Sequence, residues 1–162
     1  MIPRHRPPFG VGRVLRSVAD WGNRVTPEQV ESAYAEACGV PYAMLLPSAR
    51  AGICWALKAV IEKGTPVLCP VFTCQVVHEA VVRSGGALHL VDSSSEGFLM
   101  DPQVIRRDAT NGRYALVLCE VYGHSYDLAT LSKEVRVPPL IRIVDMAMTV
   151  PDAPLPSRLS GS

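Results

Sequence analysis

The stretch Leu140–Thr149, LIRIVDMAMT, decides how this chain is read. Leu140 to Val144 is a short apolar run rich in β-branched residues, which fits a buried strand of a parallel sheet. Asp145 stands at the carboxyl end of that strand, followed by the small or unbranched residues Met146, Ala147 and Met148. In open α/β sheets, ligands bind in the crevice outside the carboxyl ends of the strands. A carboxylate there can serve a cationic ring nitrogen, a metal or a hydroxyl. The plainer reading makes Asp145 a cap for the next segment or the partner of a surface base.

Working outward, the chain alternates strands and helices. Thr26-Pro27-Glu28-Gln29 combines a capping residue, an N1 proline and a glutamine at the capping-box position. Val30, Ala33, Tyr34 and Ala37 recur at helical spacing, and Gly39 can supply a left-handed C-terminal residue. Tyr42–Leu46 reads as a buried strand that runs into the small residues of Pro47–Gly52, and a helix follows through Ile53, Trp55, Ala56, Leu57 and Val60. Strands at Val67–Cys69, Leu88–Val91 and Tyr114–Cys119 are separated by helices over Gln75–Arg83, from Asp101-Pro102, and over Leu128–Glu134 behind Asp127. This pattern predicts an α/β fold, a mostly parallel sheet of five strands with right-handed crossovers and helices on both faces. Ser48, Phe72–Cys74, Asp92, Glu120–Gly123 and Asp145 should then gather along one rim.

Composition narrows the function classes. The chain has 162 residues, 48% hydrophobic and 19% charged, which suits a globular domain with its own core. A net charge of +1 makes no electrostatic case for nucleic acid or an anionic membrane. No apolar run is long enough to span a bilayer, and MIPRHRPPFG is followed by no apolar core of a secretory signal. Five cysteines without a CxxC pair read as buried free thiols in a reducing cytosol, not as a zinc site. The expectation is a cytoplasmic protein. Residues 1–25 read as an extended arm and short helix that would lie on a neighbouring subunit. Residues 26–150 form the main domain, and 151–162 form a Pro/Ser-rich tail.

Two features of the rim carry chemistry. The turn Pro47–Gly52 opens a helix whose unpaired N–H groups and dipole favour an anion; Ser48, Ala49, Ala51 and Gly52 are small, and Arg50 adds a charge. The structural alternative is an ordinary connection with Ser48 as N-cap. Neither a GxGxxG nor a GxxxxGK[ST] motif is present, which argues against a dinucleotide or P-loop site. Cys69 and Cys74 have no histidine placed to activate them; His78 falls inside a helix, His89 at a core edge and His124 at the rim. A phosphate cradle after the first strand and a carboxylate after the last would suit an aromatic phosphate ester with a basic ring nitrogen. Pyridoxal 5′-phosphate (PLP) is such a molecule.

The order of these motifs resembles the DegT/DnrJ/EryC1/StrS family of sugar aminotransferases, which have the PLP fold type I. The likeness runs from about Pro7 to Pro151 through Glu31–Tyr42, Ser48–Gly52, Lys63–Thr73, Gly85–Asp92, Leu99–Pro102, Tyr122-Gly123 and Val144–Ala147. It implies that this is the partial large domain of such an enzyme, a homodimer that passes an amino group from glutamate or glutamine to a keto sugar. Carried over, Ser48, Ala49 and Arg50 would hold the phosphate, Asp145 the pyridine nitrogen, and Ala147 would pack near the ring. Cys74 stands where the family has a stacking aromatic ring, and Met148 where it has a glutamine or histidine. Glu120 takes a position that is often histidine. The family's Schiff-base lysine follows the Asp145 strand, whereas Lys58, Lys63 and Lys133 all precede it. The resemblance therefore implies an N-terminal fragment, inactive as it stands. The alternatives are a non-catalytic remnant that binds a phosphate ester or partner, and an unrelated enzyme using a cysteine.

Overall fold

A computed structural model describes residues 12, 15, 16, 25–95, 97–109 and 113–148; most of the N-terminal arm and all of the tail from 151 lie outside them. Helix α1 (Pro27–Cys38) begins as its sequence predicts. The Thr26 hydroxyl accepts from the Gln29 amide, the Gln29 side chain accepts from the Thr26 amide, and Gly39 closes the helix at φ 65°. Then follow α2 (Ala49–Val60), β1 (Pro66–Pro70), α3 (Gln75–Ser84), β2 (Ala87–Val91), α4 (Pro102–Asp108), β3 (Ala115–Cys119), α5 (Leu128–Val135) and β4 (Arg142–Asp145).

The sheet is parallel throughout, in the order β2-β1-β3-β4. The fold class is the expected one, but the described sheet has four strands, not five. Tyr42–Leu46 is not a strand, and it is not buried: Tyr42 is 89% exposed and Met44 74%. An apolar run becomes a strand only where a neighbour takes its backbone groups. Here the segment is held at one point, where the Leu45 amide donates to Glu31 Oε1 of α1 at 2.7 Å.

Period-two alternation sends the side chains of each strand to two cores. On one face Val67, Cys69, Ala115, Val117 and Cys119 pack against Ile53, Cys54 and Leu57 of α2 and Val77, Ala80 and Val81 of α3. On the other, Leu68, Val91, Leu116 and Leu118 meet Ile105 of α4 and Leu128, Leu131 and Val135 of α5. All five residues of β3 are buried, so it is the spine of the sheet.

Two glycines show how tight the first face is. A Cβ on Gly86 would stand 2.5 Å from Val67 Cγ2 and 3.1 Å from Ile61 Cδ1, both held in packed surroundings. A Cβ on Gly52, inside α2, would meet only the end of the Leu46 side chain at 2.9 Å, and Leu46 is partly exposed and can turn aside. Gly86→Ala should therefore cost about 1–3 kcal/mol through overpacking. Gly52→Ala should be neutral or gain up to about 1 kcal/mol from helix propensity. Urea unfolding of the two variants checks the contrast, and equal losses would contradict it.

Candidate functional site

Between β1 and β3 the winding of the sheet reverses. From β1 the chain steps outward to β2, then crosses back to β3 and on to β4. Such a reversal leaves a crevice at the carboxyl ends of the two strands, because the loops leaving them diverge. Those loops carry Val71–Cys74 and Glu120–Ser125, and Asp145 ends the next strand.

Helix α2 reaches the same rim. Its C-terminus leads through Lys63 and Gly64 into the start of β1, so its 12 residues run back about 18 Å and its N-terminus lies on the carboxyl side. Ser48 is the N-cap, and its hydroxyl accepts from the Ala51 amide at 3.2 Å. The first bond along the helix runs from the Gly52 amide to the Ser48 carbonyl, which leaves the Ala49 and Arg50 amides ahead of it and pointing outward. The Ser48 cap and an anion seat are compatible, since they use different amides. Arg50 Nη1 pairs with Glu79 Oε2 of α3 at 2.7 Å. The missing side chain of Gly52 makes room for Leu46.

Asp145 lies on the face of the sheet that α2 and α3 cover. Ile143, two residues earlier on β4, packs into that core, and Cys119, paired with Asp145 across the ladder, belongs to it. Asp145 Oδ1 accepts from the Ala147 amide at 3.0 Å, and its carbonyl accepts from the Glu120 amide at 2.9 Å. The cap reading of Asp145 is thus present locally, while its partly exposed carboxylate still faces the rim. Ala147 and Met148 follow in an exposed turn.

Cys74 is the exposed N-cap of α3, and no side-chain bond fixes it. The Thr73 hydroxyl beside it hydrogen-bonds the Cys119 thiol, which also feels Asp145 and Cys74. Thr73, Cys74, Cys119 and Asp145 are therefore neighbours. Burial, opposed by the Thr73 bond and helped by the Asp145 charge, pushes the Cys119 thiol up to about 11. Burial pushes Cys69 higher still. Neither offers a thiolate near neutral pH, which fits structural thiols and not nucleophiles.

Several features were outside the reach of the sequence reading. Glu120 is 1% exposed; its Oε1 accepts from the Tyr126 amide at 3.1 Å and its Oε2 from the Ser125 hydroxyl at 3.3 Å. Between them the loop turns at Tyr122 (φ 52°) and Gly123 (φ 82°), closed by the His124 amide donating to the Val121 carbonyl at 2.9 Å. The turn presents Tyr122 to Phe72 and Phe98. Ring centroids lie 5.3 Å apart for Phe72–Phe98, 6.2 Å for Phe72–Tyr122 and 5.6 Å for Phe98–Tyr122, with His124 edge-on to Phe98 at 5.5 Å. His78 Nε2 bonds the Pro70 carbonyl at 2.8 Å, and His89 pairs with Asp108 at 2.9 Å. Both are structural, and His89 is half-exposed and not packed into the core edge. Among the described residues no three His, Cys, Asp or Glu side chains are arranged to hold a metal ion. A cavity of about 80 Å³ under α5, lined by Tyr114, Leu131 and Arg142, lies at the amino ends of the strands and is smaller than a cofactor pocket.

The donor types at the rim, outward amides and a carboxylate, are those that suit the phosphate and the basic ring nitrogen of PLP. The two outward amides of α2, the slender Cys74 and the Asp145 carboxylate all belong to one covered face at the carboxyl ends of the strands. The fold itself is that of PLP enzymes. The E. coli GDP-4-keto-6-deoxy-D-mannose-3-dehydratase with bound hydrated PLP superposes with a TM-score of 0.75 at 16% identity, over 88% of this chain and 40% of that one. A GDP-4-keto-6-deoxymannose-3-dehydratase with a trapped PLP–glutamate geminal diamine gives 0.71 at 17% identity, over 83% and 37%. DesV of S. venezuelae gives 0.68 at 23% identity, over 85% and 38%. The chain thus spans about 40% of the length of such proteins. No helix among the described residues is long and apolar enough to cross a membrane. No curated protein matches the sequence significantly. Residues 11–151 match the model of the DegT/DnrJ/EryC1/StrS aminotransferase family, and the chain belongs to that family.

Proposed function

We propose that this chain is the cofactor-binding part of a PLP-dependent enzyme that transfers an amino group to a keto sugar, working in the cytosol as a homodimer with an amino acid as donor. The observation that carries the reading is the placement of Asp145 on the same face, at the same rim, as the outward amides of α2. When bound, PLP supplies an electron sink for carbanion chemistry. The Ala49 and Arg50 amides would hold its phosphate on the positive end of α2. The Asp145 carboxylate, steadied by the Ala147 amide, would accept the ring N–H and keep that proton in place. Cys74, Ala147 and Met148 would border the ring, and the small Cys74 leaves its face less covered than a stacking aromatic would. The exposed Arg50–Glu79 pair links α2 to α3. The lysine that completes such a site is not among Lys58, Lys63 and Lys133 at this rim, so amino transfer itself is assigned to the whole protein.

Titration of the full 162-residue chain with PLP, followed by induced circular dichroism, tests the assignment. Asp145→Asn should weaken binding on the order of tenfold, because a charge-assisted hydrogen bond becomes a neutral one. If Asp145 served only as a local cap, the same variant would lose about 1 kcal/mol of stability and bind PLP unchanged.

The cysteine-enzyme reading has its own test. Cys74 should be alkylated rapidly in the native chain at pH 7.5, and Cys69 and Cys119 only on unfolding. Rapid native labelling of Cys119 would revive that reading. The folded-state rise of Cys119 from 9.0 to about 11 also sets a pH window. Its contribution to stability is full below pH 9 and is lost as pH rises through 11, since the unfolded chain releases the proton first. Urea midpoints should fall across that interval, and a Cys119→Ser variant should show a shallower fall.

A further inference from the structure

The cavity under α5 lies where the strands begin, at the opposite edge of the sheet from the rim. Leu116 of β3, Leu131 and Val135 of α5, and Pro138 and Pro139 after them give it an apolar wall. Leu116, Leu131 and Val135 are buried, whereas Arg136, Pro138 and Arg142 are exposed and mark its mouth. Its volume of about 80 Å³ is about half that of the roughly 150 Å³ apolar cavity that admits benzene, so it suits a tail of about three carbons.

The fold sorts the polar atoms around this cavity. The Tyr114 hydroxyl donates to the Val137 carbonyl at 2.6 Å and the Ser132 hydroxyl to the Leu128 carbonyl at 2.7 Å, so the protons of both are already in use. The side-chain donors left at the mouth are the guanidiniums of Arg136 and Arg142, and among the described residues neither has an ion-pair partner. Arg142 pairs with Leu116 across the ladder, on the side of the sheet that α5 covers. Burial raises the Tyr114 hydroxyl, and the Arg142 charge beside it pulls the other way. Arg136 is held at the mouth against strain. Its φ of 61° and ψ of −38°, with the Val137 amide donating to the Val135 carbonyl at 2.7 Å, make the rare, strained form of γ-turn. The bond from Tyr114 to Val137 clamps that turn. Strain of this kind persists only where its surroundings enforce it, and it gathers at binding sites.

We propose that this cavity is a binding site for a short aliphatic carboxylate, with its tail among Leu116, Leu131 and Val135 and its carboxylate between Arg136 and Arg142. Guanidinium groups take a carboxylate through paired N–H donors. The C-terminal end of α5 opposes an anion with about half a charge, which two full positive charges outweigh. An ammonium ion on the same tail would meet two cations and is turned away. The site lies at the far edge of the sheet from Asp145 and stands without the PLP assignment.

Methyl-resolved NMR of the full chain, titrated with sodium butyrate, tests the site. The Leu131 and Val135 methyl signals should shift and saturate, whereas n-butylammonium chloride should leave them in place. Acetate, two methylenes shorter, should bind about fifteenfold more weakly, at about fourfold per buried methylene. Hexanoate should gain nothing further, because the cavity is already full. Arg142→Gln and Arg136→Gln should each weaken butyrate on the order of tenfold, as a charge-assisted contact becomes a neutral one. Arg136→Gly should weaken it likewise without lowering the melting temperature, since glycine adopts that backbone freely. Ser132→Leu should fill the cavity and abolish the shifts in a chain that still folds by circular dichroism. Arg83→Gln, on the exposed face of α3, should change nothing. Saturating butyrate should leave the PLP titration unchanged, and Asp145→Asn should leave butyrate binding unchanged, so the two assignments fail separately. Methyl signals unmoved by every carboxylate would leave the cavity to water alone and overturn the proposal. So would equal binding of butyrate and acetate. A loss of stability in Arg142→Gln with butyrate binding unchanged would also overturn it, and would assign the arginines to the C-terminal end of α5.

Discussion

The parallel pairing of β1 with β3 is the constraint on which the rest of the molecule depends. Parallel strands need a crossover between them, and right-handed crossovers from either side of this pair must use opposite faces. That is why α3 covers one face and α4 and α5 the other, and why the loops after β1 and β3 part at the rim. The fully buried β3 lets the reversal be rigid. The side chains at its end, Cys119 and Glu120, are fixed from both sides before any ligand arrives.

Much of this was legible in the sequence because it rests on local rules. The Thr26–Gln29 capping box, the left-handed Gly39, and the Asp101 and Asp127 caps each depend on residues within four positions, and each forms. The strand before Asp145 also followed from its own composition, but it forms as Arg142–Asp145 at the edge of the described sheet and is partly exposed, not buried as the apolar run suggested. Tyr42–Leu46 shows the limit. Its apolar run satisfies every local criterion for a strand, but a ladder needs a second strand, and the run carries no information about one. Arg50 shows another limit: its local sequence does not reveal that its guanidinium pairs with Glu79, 29 residues on.

The aromatic cluster and the Glu120 network were illegible for a related reason. Phe72 and Tyr122 belong to motifs that could be quoted, yet nothing in the spacing of 72, 98 and 122 joins them; the strand order does. Glu120 reads as a loop carboxylate because acidic residues are seldom buried. Its burial is compensated by a backbone amide and a hydroxyl supplied only when the loop folds back on itself. Of the five cysteines read as buried free thiols, Cys54, Cys69 and Cys119 are buried, whereas Cys74 is exposed at the start of α3 and Cys38 is only partly buried.

The sheet has no antiparallel strand among the described residues, and every crossover helix runs opposite to the strands. The N-termini of α2, α3, α4 and α5 therefore all point towards the carboxyl rim, and their C-termini towards the other edge. The chain is nearly neutral, with a net charge of +1, yet its backbone dipoles are aligned along the strand axis. At α2 and α3, capped by Ser48 and Cys74, that polarity favours an anion, whereas at α4 and α5 the carboxylates of Asp101 and Asp127 already occupy the positive ends. Polarity of this kind cannot be titrated away, since peptide dipoles have no pKa. The preference of those two helix ends for an anion would persist across the physiological pH range and weaken with ionic strength.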